Sequence, residues 1–240
     1  MIDDDPRLQR LLEFTLGQEG AEVYLASDGE EGLRAFYAHT PDLVVLDLMM
    51  PRMDGWEAAQ RIRLISDVPI LILTARGREE DIIKGFEIGA DEYVTKPFSL
   101  RVLVARARAL LRRASLPPVS DQPVTYSDDY LTVDLDKNRV TVNGEVVRLT
   151  ATEYRLLAYM VSNAGRVLSA RQILEKVWGW EYTDDVDYVR IYIWHLRQKL
   201  EPDPKHPKYL QTEHGIGYRF VPRPNANAGN GQGRRGALDT

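Results

Sequence analysis

The sequence contains no cysteine, so it can form neither a disulfide framework nor a metal site built on thiolates. It also lacks a long apolar run, because no stretch approaches the roughly 20 residues that a helix needs to cross a bilayer. Acidic residues begin at Asp3, which is not the pattern of a secretory signal. With 44% hydrophobic residues, we expect a cytoplasmic protein with an ordinary apolar core and no membrane contact.

The excess of acidic residues is confined to one half of the chain. The formal net charge is −5, and residues 1–115 account for it with 15 Lys/Arg against 20 Asp/Glu, which leaves 16 of each for the other half. Residues 186–223 carry seven Lys/Arg, four acids and three histidines. This mildly basic balance permits contact with nucleic acid without requiring it.

The first half alternates short apolar runs with amphipathic stretches. Helices are predicted to start at Pro6, Gly29 and Gly55, and two more to span residues 79–88 and 99–113. The apolar runs between them predict strands at residues 22–26, 43–46, 70–73 and 92–94. This alternation predicts an α/β fold with a doubly wound parallel sheet, in which helices cover both faces.

The second half has a different pattern. Thr150 with Glu153 and Ser169 with Gln172 have the spacing of capping boxes, and each pair predicts the start of a helix. Other segments are predicted from alternation and helical periodicity: strands at 131–134, 139–142 and 146–149, a helix at about 186–200, and a hairpin at 209–221 that turns near Gly215.

A short segment separates the two patterns. Residues 116–123 (LPPVSDQP) contain three prolines and no periodic apolar pattern, as is typical of a linker. The Asn/Gly/Arg-rich end of the chain is typical of a disordered tail. We therefore expect domains at 1–113 and 124–222, a linker at 114–123 and a tail at 223–240.

Polar side chains follow three predicted parallel strands at the points where the strands end, and two more precede the first helix. The first group is Asp47, Thr74 and Lys96, and the second is Asp3 and Asp4. Each alone has an ordinary explanation as a helix cap, a turn former or a solvated lysine. Because the carboxyl ends of parallel strands meet at one edge of an open sheet, together they predict a single pocket. Clustered carboxylates suit Mg²⁺, which prefers oxygen ligands.

Four runs in this half resemble the receiver domain of bacterial two-component systems: IDDDP, VVLDLMMPRMDGWE, ILTAR and GADEYVTKPF. The resemblance covers residues 1–113 and implies a flavodoxin-like fold. It further implies that Asp47 accepts a phosphoryl group from a phosphohistidine of a sensor histidine kinase. Mg²⁺ is the implied cofactor, held by the carboxylates of Asp4 and Asp47 and the carbonyl of Met49, with Asp3 acting chiefly through water.

The same resemblance implies roles for residues on the later strands. Lys96 would pair with a phosphoryl oxygen, and Thr74 would hydrogen-bond the new phosphoryl group. Tyr93 would then rotate inward, so that Thr74 and Tyr93 form the switch. The Lys96–Pro97 bond is expected to be cis.

The predicted helix at 186–200 has two faces. A stripe at helical spacing is predicted to face the core: Val189, Ile193, Leu196 and Leu200. The opposite face is predicted to be exposed and comprises Asp187, Ile191, Trp194 and Gln198, with Arg190 and Arg197 on one flank and Tyr188, Tyr192 and His195 on the other. Such a face suits the major groove of DNA, where arginines reach phosphates. A helix that binds another protein is the alternative.

Three further runs resemble the winged-helix effector of the OmpR/PhoB family over residues 124–222: LTATEYRLL, DDVDYVRIYIWHLRQKLEPDP and TEHGIGYRF. The resemblance implies an α+β winged-helix domain that binds double-stranded promoter DNA through the helix at 186–200. It implies that Thr212 approaches a phosphate, that His214 enters the minor groove at the tip of the wing, and that the loop 179–185 contacts RNA polymerase.

Family members form homodimers on phosphorylation, partly through salt bridges between receivers. Asp91, Glu92, Arg106 and Arg113 match that pattern. Ile82 and Val102 replace a lysine and a glutamate that are usual in the family, so an apolar contact is predicted there.

The function favoured by these patterns is a transcription factor, not an enzyme, controlled by phosphorylation of Asp47. A Mg²⁺-dependent phosphatase or phosphotransferase is a second hypothesis, but it leaves the DNA-binding half unexplained. A third is a DNA-binding protein with a degenerate, phosphorylation-independent receiver. Only Met1 and Ile2 precede Asp3, so the central first strand is expected to be effectively missing, and we expect the true start to lie upstream.

Family members usually carry arginine at the position of His214. Histidine, unlike arginine, loses its charge near neutral pH, so His214→Arg should strengthen DNA binding and weaken its dependence on pH. Gel-shift titrations of the wild type and of the variant at pH 6 and pH 8 measure both effects. Identical affinities and identical pH responses would contradict a role for His214 at the minor groove.

Overall fold

A computed structural model describes residues 1–75, 81, 84–85, 87–115, 125–179, 182 and 186–223 of the 240-residue chain. The first half contains helices α1 (Pro6–Gly17), α2 (Gly29–His39), α3 (Gly55–Arg63) and α4 (Leu100–Ser115). Its strands are β1 (Val44–Leu46), β2 (Ile70–Thr74) and β3 (Glu92–Thr95), which pair in parallel in the order β1-β2-β3. The predicted parallel α/β fold is therefore confirmed.

Successive strand residues of this sheet pack into two different apolar layers. Ile70 and Ile72 belong to the layer beneath α2 and α3, whereas Leu71 and Leu73 belong to the layer beneath α1 and α4. All four are fully buried. Side chains alternate across a strand, so a continuous apolar run indicates a sheet that is covered on both faces.

The central position of this sheet, where the first strand was expected to be effectively missing, holds a single bridge residue. Ile2 is buried and forms parallel bridges with both Ala26 and Leu46. The predicted strand at residues 22–26 is wrong, because Ala26 alone of these residues forms a bridge. The physical reason is that its partner segment, Met1–Asp3, is too short to support a longer ladder.

The described residues of the second half form two antiparallel sheets and three α-helices. One sheet has the order β4 (Thr125–Ser127), β5 (Leu131–Asp134), β6 (Arg139–Val142), β7 (Glu145–Val146), and the other the order β8 (Val167–Leu168), β10 (Gly217–Phe220), β9 (Leu210–Glu213). The helices are α5 (Ala151–Ser162), α6 (Ala170–Val177) and α7 (Asp187–Leu200). Both capping boxes are present, at Thr150 with Glu153 and at Ser169 with Gln172.

Two predicted boundaries in this part of the chain shift. The strand expected at 146–149 is β7, which ends at Val146 because the chain then turns into the cap of α5 at Thr150. Helix α4 continues to Ser115, two residues beyond the predicted end. Most of the predicted helix at 79–88, the linker from residue 116 and the tail from residue 224 lie outside the described residues.

Within the part of the chain that the structure covers, no helix combines the length and the apolar character needed to cross a membrane.

Gly55 offers a test of how the start of α3 is packed. A β-carbon added there would lie 2.0 Å from the carbonyl oxygen of Asp47. We expect Gly55→Ala to lower the free energy of unfolding by about 1–3 kcal/mol, because backbone atoms must move apart. Gly17, also in a helix, has no atom within 4 Å of an added β-carbon, so Gly17→Ala should be neutral or stabilising. Urea denaturation of both variants measures the difference, and equal destabilisation would contradict the close contact.

Candidate functional site

Three carboxylates converge at the carboxyl edge of the parallel sheet. Asp47 follows β1, and Asp3 and Asp4 follow the short segment that pairs beside it. Their oxygen atoms lie within 4.8 Å of one another. Asp3 and Asp47 are buried, whereas Asp4 is exposed and leaves the cluster open to solvent. The predicted pocket is therefore assembled by the fold.

Lys96 supplies the positive charge within this cluster. It follows β3, and its Nζ donates hydrogen bonds to Asp3 Oδ2 at 2.8 Å and to Asp47 Oδ2 at 2.6 Å. Burial disfavours the charged ammonium, but the two carboxylates outweigh that effect and raise the pKa of Lys96. The Lys96–Pro97 bond is cis, as predicted.

Asp3 is the most constrained of the three carboxylates. Burial raises its pKa, although hydrogen bonds from Lys96 and from the Asp5 amide oppose the shift. The Asp5 N–H donates to Asp3 Oδ1 at 2.9 Å, and the Asp5 side chain caps α1 in turn. The start of α1 therefore holds Asp3 in place.

The charge balance of the pocket fits a divalent cation. Three carboxyl groups gather beside one ammonium, so acidic side chains outnumber basic ones in a small volume. Oxygen donors at this density are those that Mg²⁺ prefers. Asp3, Asp4 and Asp47 could hold such an ion through their carboxylates.

The remaining residues predicted for the pocket lie next to Asp47 or on the neighbouring strands β2 and β3. The Met49 amide donates to Asp47 Oδ1 at 3.0 Å, so its peptide lies next to the carboxylate. Thr74 ends β2 and is fully buried. Tyr93 is also buried, and its ring lies so close to Gly85 that a β-carbon added there would be 2.9 Å from two ring carbons.

One residue of the pocket was not predicted from the sequence. Gln9, on the second turn of α1, donates from Nε2 to the Asp3 carbonyl at 2.7 Å and to the Ala26 carbonyl at 2.8 Å. It therefore ties α1 to the two segments that meet at the pocket. No local pattern marks this glutamine, because both acceptors are backbone atoms brought close by the tertiary fold.

Helix α7 presents part of the predicted DNA-reading face to solvent. Asp187, Arg190, Trp194 and Gln198 are exposed, and Ile191 is half-buried. The predicted exposure of the other flank is wrong, because Tyr188, Tyr192 and His195 are buried. They form a second stripe at helical spacing that packs on Trp178, on Glu153 and on the first domain.

Two residues of the predicted face make internal contacts. His195 Nδ1 lies 3.5 Å from Glu153 Oε1, a carboxylate that Lys199 also contacts at 2.6 Å. Arg197, expected to reach a phosphate, donates from its guanidinium to the Leu210 carbonyl and to Thr212 Oγ1 at 2.8 Å. Arg197 thus fastens α7 to β9.

Strands β9 and β10 form the predicted hairpin. Tyr218 pairs with Thr212, and the turn contains Gly215 with a φ of 75°. Both Thr212 and His214 are exposed, and Ile216 beside them is 64% exposed. A projecting hairpin beside a solvent-facing helix is the arrangement that a winged-helix protein needs to contact two grooves.

Comparisons with known proteins agree with this architecture. The family model described as "Response regulator receiver domain" matches residues 1–108, and that described as "Transcriptional regulatory protein, C terminal" matches residues 144–220. The "Probable transcriptional regulator ycf27" of Cyanophora paradoxa is 44% identical over 92% of this chain and 94% of its own. The chain is an OmpR/PhoB-type response regulator.

Two solved structures match this response regulator along most of its length. DrrB of Thermotoga maritima, described as an OmpR/PhoB homologue, is 31% identical over 92% of this chain and 96% of its own, with a TM-score of 0.49. A Cys-to-Ser mutant of RitR is 28% identical over 91% of this chain and 96% of its own, with a TM-score of 0.74. Neither domain makes up three quarters of this chain. The TM-score of 0.74 with RitR therefore requires both domains to superpose at the same time.

Charged residues predicted for the response regulator's dimer contact lie beside residues of opposite charge in the same chain. Asp91 Oδ2 accepts from Arg63 Nη2 at 2.6 Å and from the Ile70 amide at 3.0 Å. Glu92 pairs with Arg106 and, at 3.8 Å, with Arg113. Val102 is 46% exposed, and Ile82 lies outside the described residues, so their apolar contact stays a prediction.

The two ion pairs of Lys96 generate a prediction for stability. Lys96→Ala would leave Asp3 and Asp47 buried without a cation, and we expect the free energy of unfolding to fall by roughly 3 kcal/mol in chelator at neutral pH. Mg²⁺ should restore more stability to this variant than to the wild type. Lys137→Ala is the control, because Lys137 is 75% exposed and pairs only at the surface. Thermal melts with EDTA or Mg²⁺ test this, and equal Mg²⁺ responses would contradict it.

Proposed function

We propose that this response regulator controls transcription through phosphorylation of Asp47 by a sensor histidine kinase. The observation that carries the proposal is the cluster of Asp3, Asp4 and Asp47, in which Lys96 contacts Asp3 and Asp47. The same chain contains a winged-helix domain whose helix α7 presents a solvent-facing surface. An acceptor carboxylate next to a cation at the open edge of a sheet can be reached by a kinase.

In the proposed reaction, a carboxylate oxygen of Asp47 attacks the phosphorus of a phosphohistidine. An O–P bond forms while the P–N bond breaks, and the imidazole leaves with the electron pair. Mg²⁺, held by Asp3, Asp4, Asp47 and the Met49 carbonyl, would supply charge neutralisation at the phosphoryl oxygens. Lys96 Nζ, already 2.6 Å from Asp47, would pair with one of those oxygens.

Thr74 and Tyr93 are the residues proposed to respond to the new group. Both are buried on neighbouring strands, and residues Ile72 and Thr74 of β2 pair with Tyr93 and Thr95 of β3. If Thr74 turned its hydroxyl toward a phosphoryl group at Asp47, the space beside the Tyr93 ring would change. Close packing of that ring against Gly85 makes it sensitive to such a change.

The proposed output is DNA binding by a homodimer. Residues proposed to contact promoter DNA are Asp187, Arg190, Ile191, Trp194, Arg197, Thr212 and His214, together with Tyr188, Tyr192 and His195 if these become exposed. The receiver would pair through Asp91, Glu92, Arg106, Arg113, Ile82 and Val102. Pairing two receivers raises the effective concentration of the second winged helix at adjacent half-sites, and loop 179–185 could then contact RNA polymerase.

The test compares the wild type with Asp47→Ala in the presence of Mg²⁺ and a small acyl-phosphate donor. Donor should convert the wild type to a dimer and tighten DNA binding roughly tenfold or more, as expected when two linked modules bind together. Asp47→Ala should show neither change. Sedimentation velocity and gel shifts measure the two effects.

Asp54→Ala is the matched control, since Asp54 caps α3 and is exposed. It should keep the donor response at somewhat lower stability. A wild type that is labelled by donor but neither dimerises nor binds DNA more tightly would contradict the proposed output. A wild type that acquires no phosphoryl group would contradict the proposed reaction.

A further inference from the structure

A cavity of about 220 Å³ lies where the end of α4 meets the winged-helix domain. Arg113 of α4 lines it on the receiver side. On the other side it is lined by Asn138, in the turn between β5 and β6, and by Tyr154 and Arg155 of α5. Two arginines from different domains therefore border one small space.

Arg113 is a buried cation whose nitrogen atoms lack hydrogen bonds. Its exposed fraction is 2%, and none of its Nε, Nη1 and Nη2 atoms donates a hydrogen bond among the described residues. Its ion pair with Glu92 spans 3.8 Å, and the same carboxylate also pairs with Arg106. Two guanidinium groups thus share one acid. Because buried donors without acceptors are unfavourable, Arg113 has the capacity for a further anionic acceptor.

Arg155 brings a second buried guanidinium to the same cavity. It lies in the second turn of α5 and is 8% exposed. Burial, followed by the positive charges of Arg113 and Arg112, lowers the pKa of Arg155. Like charges gathered in this way repel one another, and an anion between them would replace repulsion with attraction.

The size and the lining of the cavity favour a small anion. Val140, Val147 and Leu149 supply an apolar part of the lining, which reduces screening by water and strengthens the attraction between an anion and the arginines. The volume is several times the roughly 30 Å³ of one water molecule but lies below the roughly 300–1,000 Å³ of pockets for drug-sized ligands. A compact oxyanion fits this space, whereas a whole nucleotide or a DNA duplex does not.

We propose that this cavity binds a dianion of the phosphate class, either inorganic phosphate or the phosphoryl end of a small phosphomonoester. Arg113 and Arg155 would donate to its oxygens, since a guanidinium group pairs with phosphate through two parallel hydrogen bonds. The side-chain amide of Asn138, which is exposed, can add a donor at the rim. Neither Asp47 nor Lys96 lines this cavity, so the site is separate from the phosphoacceptor cluster.

Two acidic residues affect the Tyr154 side of the cavity. Burial, followed by the charges of Asp134 and Asp136, raises the pKa of Tyr154 to about 12. Neither acid lines the cavity, and Lys137 pairs with Asp134 at 3.1 Å. The Tyr154 hydroxyl already donates to the Leu135 carbonyl at 3.2 Å. The anion would therefore bind on the side of Arg113 and Arg155.

Isothermal titration calorimetry of the full chain tests the site. Inorganic phosphate, glycerol phosphate and a short DNA duplex are titrated separately in EDTA, with chloride added to keep the ionic strength constant. EDTA prevents Mg²⁺ from recruiting phosphate to the Asp47 cluster. The titrated proteins are the wild type, Arg155→Gln, Lys96→Ala and Arg101→Gln. Arg101→Gln is the matched control, because Arg101 is an exposed arginine of α4 and its loss changes the net charge equally.

We expect the wild type to bind one equivalent of a phosphate-class anion. Arg155→Gln should bind it at least about tenfold more weakly, because a hydrogen bond to a charged group is worth roughly that factor. Arg101→Gln and Lys96→Ala should bind as the wild type does. Tighter binding of glycerol phosphate would assign the site to phosphomonoesters, and tighter binding of inorganic phosphate would assign it to the free anion.

Three results would overturn the proposal: a wild type that binds neither small anion at millimolar concentration, equal affinities of the wild type and Arg155→Gln, or a response confined to duplex DNA. Circular dichroism shows whether Arg155→Gln keeps its fold. If it does not, Arg155→Lys takes its place, because lysine keeps the charge but cannot donate two parallel hydrogen bonds. A lysine variant that binds as tightly as the wild type would then contradict the site.

Discussion

A fully buried carboxylate needs hydrogen-bond and charge partners from within the protein. Glu92 is such a carboxylate, and its partners come from both domains. Arg106 balances its charge, while Tyr182 and Tyr188 donate to its oxygens. An uncompensated carboxylate in this position would be strongly unfavourable. The relative placement of receiver and winged helix in this form therefore depends in part on this side chain, beside contacts such as the hydrogen bond from Tyr192 to the Asp91 carbonyl.

The proposed phosphoacceptor pocket and the contact between the domains at Glu92 are connected through a single strand. Strand β3 begins with Glu92, continues with Tyr93, whose ring packs on Gly85, and is followed by Lys96, which contacts Asp47. Each of its four residues pairs with β2, so the strand cannot bend independently. A change at Lys96 that moves Tyr93 acts on the segment that presents Glu92 to the winged helix. Any coupling between the two sites would thus run through four residues of chain.

Much of this organisation could be predicted because it depends on local rules. The ends of parallel strands gave the positions of Asp3, Asp47 and Lys96, and capping spacing gave the starts of α5 and α6. Other features depend on contacts between distant segments. The buried stripe of α7 is wider than its apolar periodicity indicates, because Tyr188 and Tyr192 are covered by a second domain. Gln9 was missed for the same reason.

The contact between the two domains at Glu92 is of a chemical kind that can form and break reversibly. The winged-helix domain contributes phenols to Glu92, whereas both charges of the Glu92–Arg106 pair come from the receiver. Among the described residues, separating the domains would break hydrogen bonds and ring contacts but no ion pair between the domains. Water can replace a phenol as hydrogen-bond donor at modest cost, whereas leaving a buried charge without its partner would cost far more. A contact of this kind therefore holds the two domains together less strongly than a buried ion pair between them would.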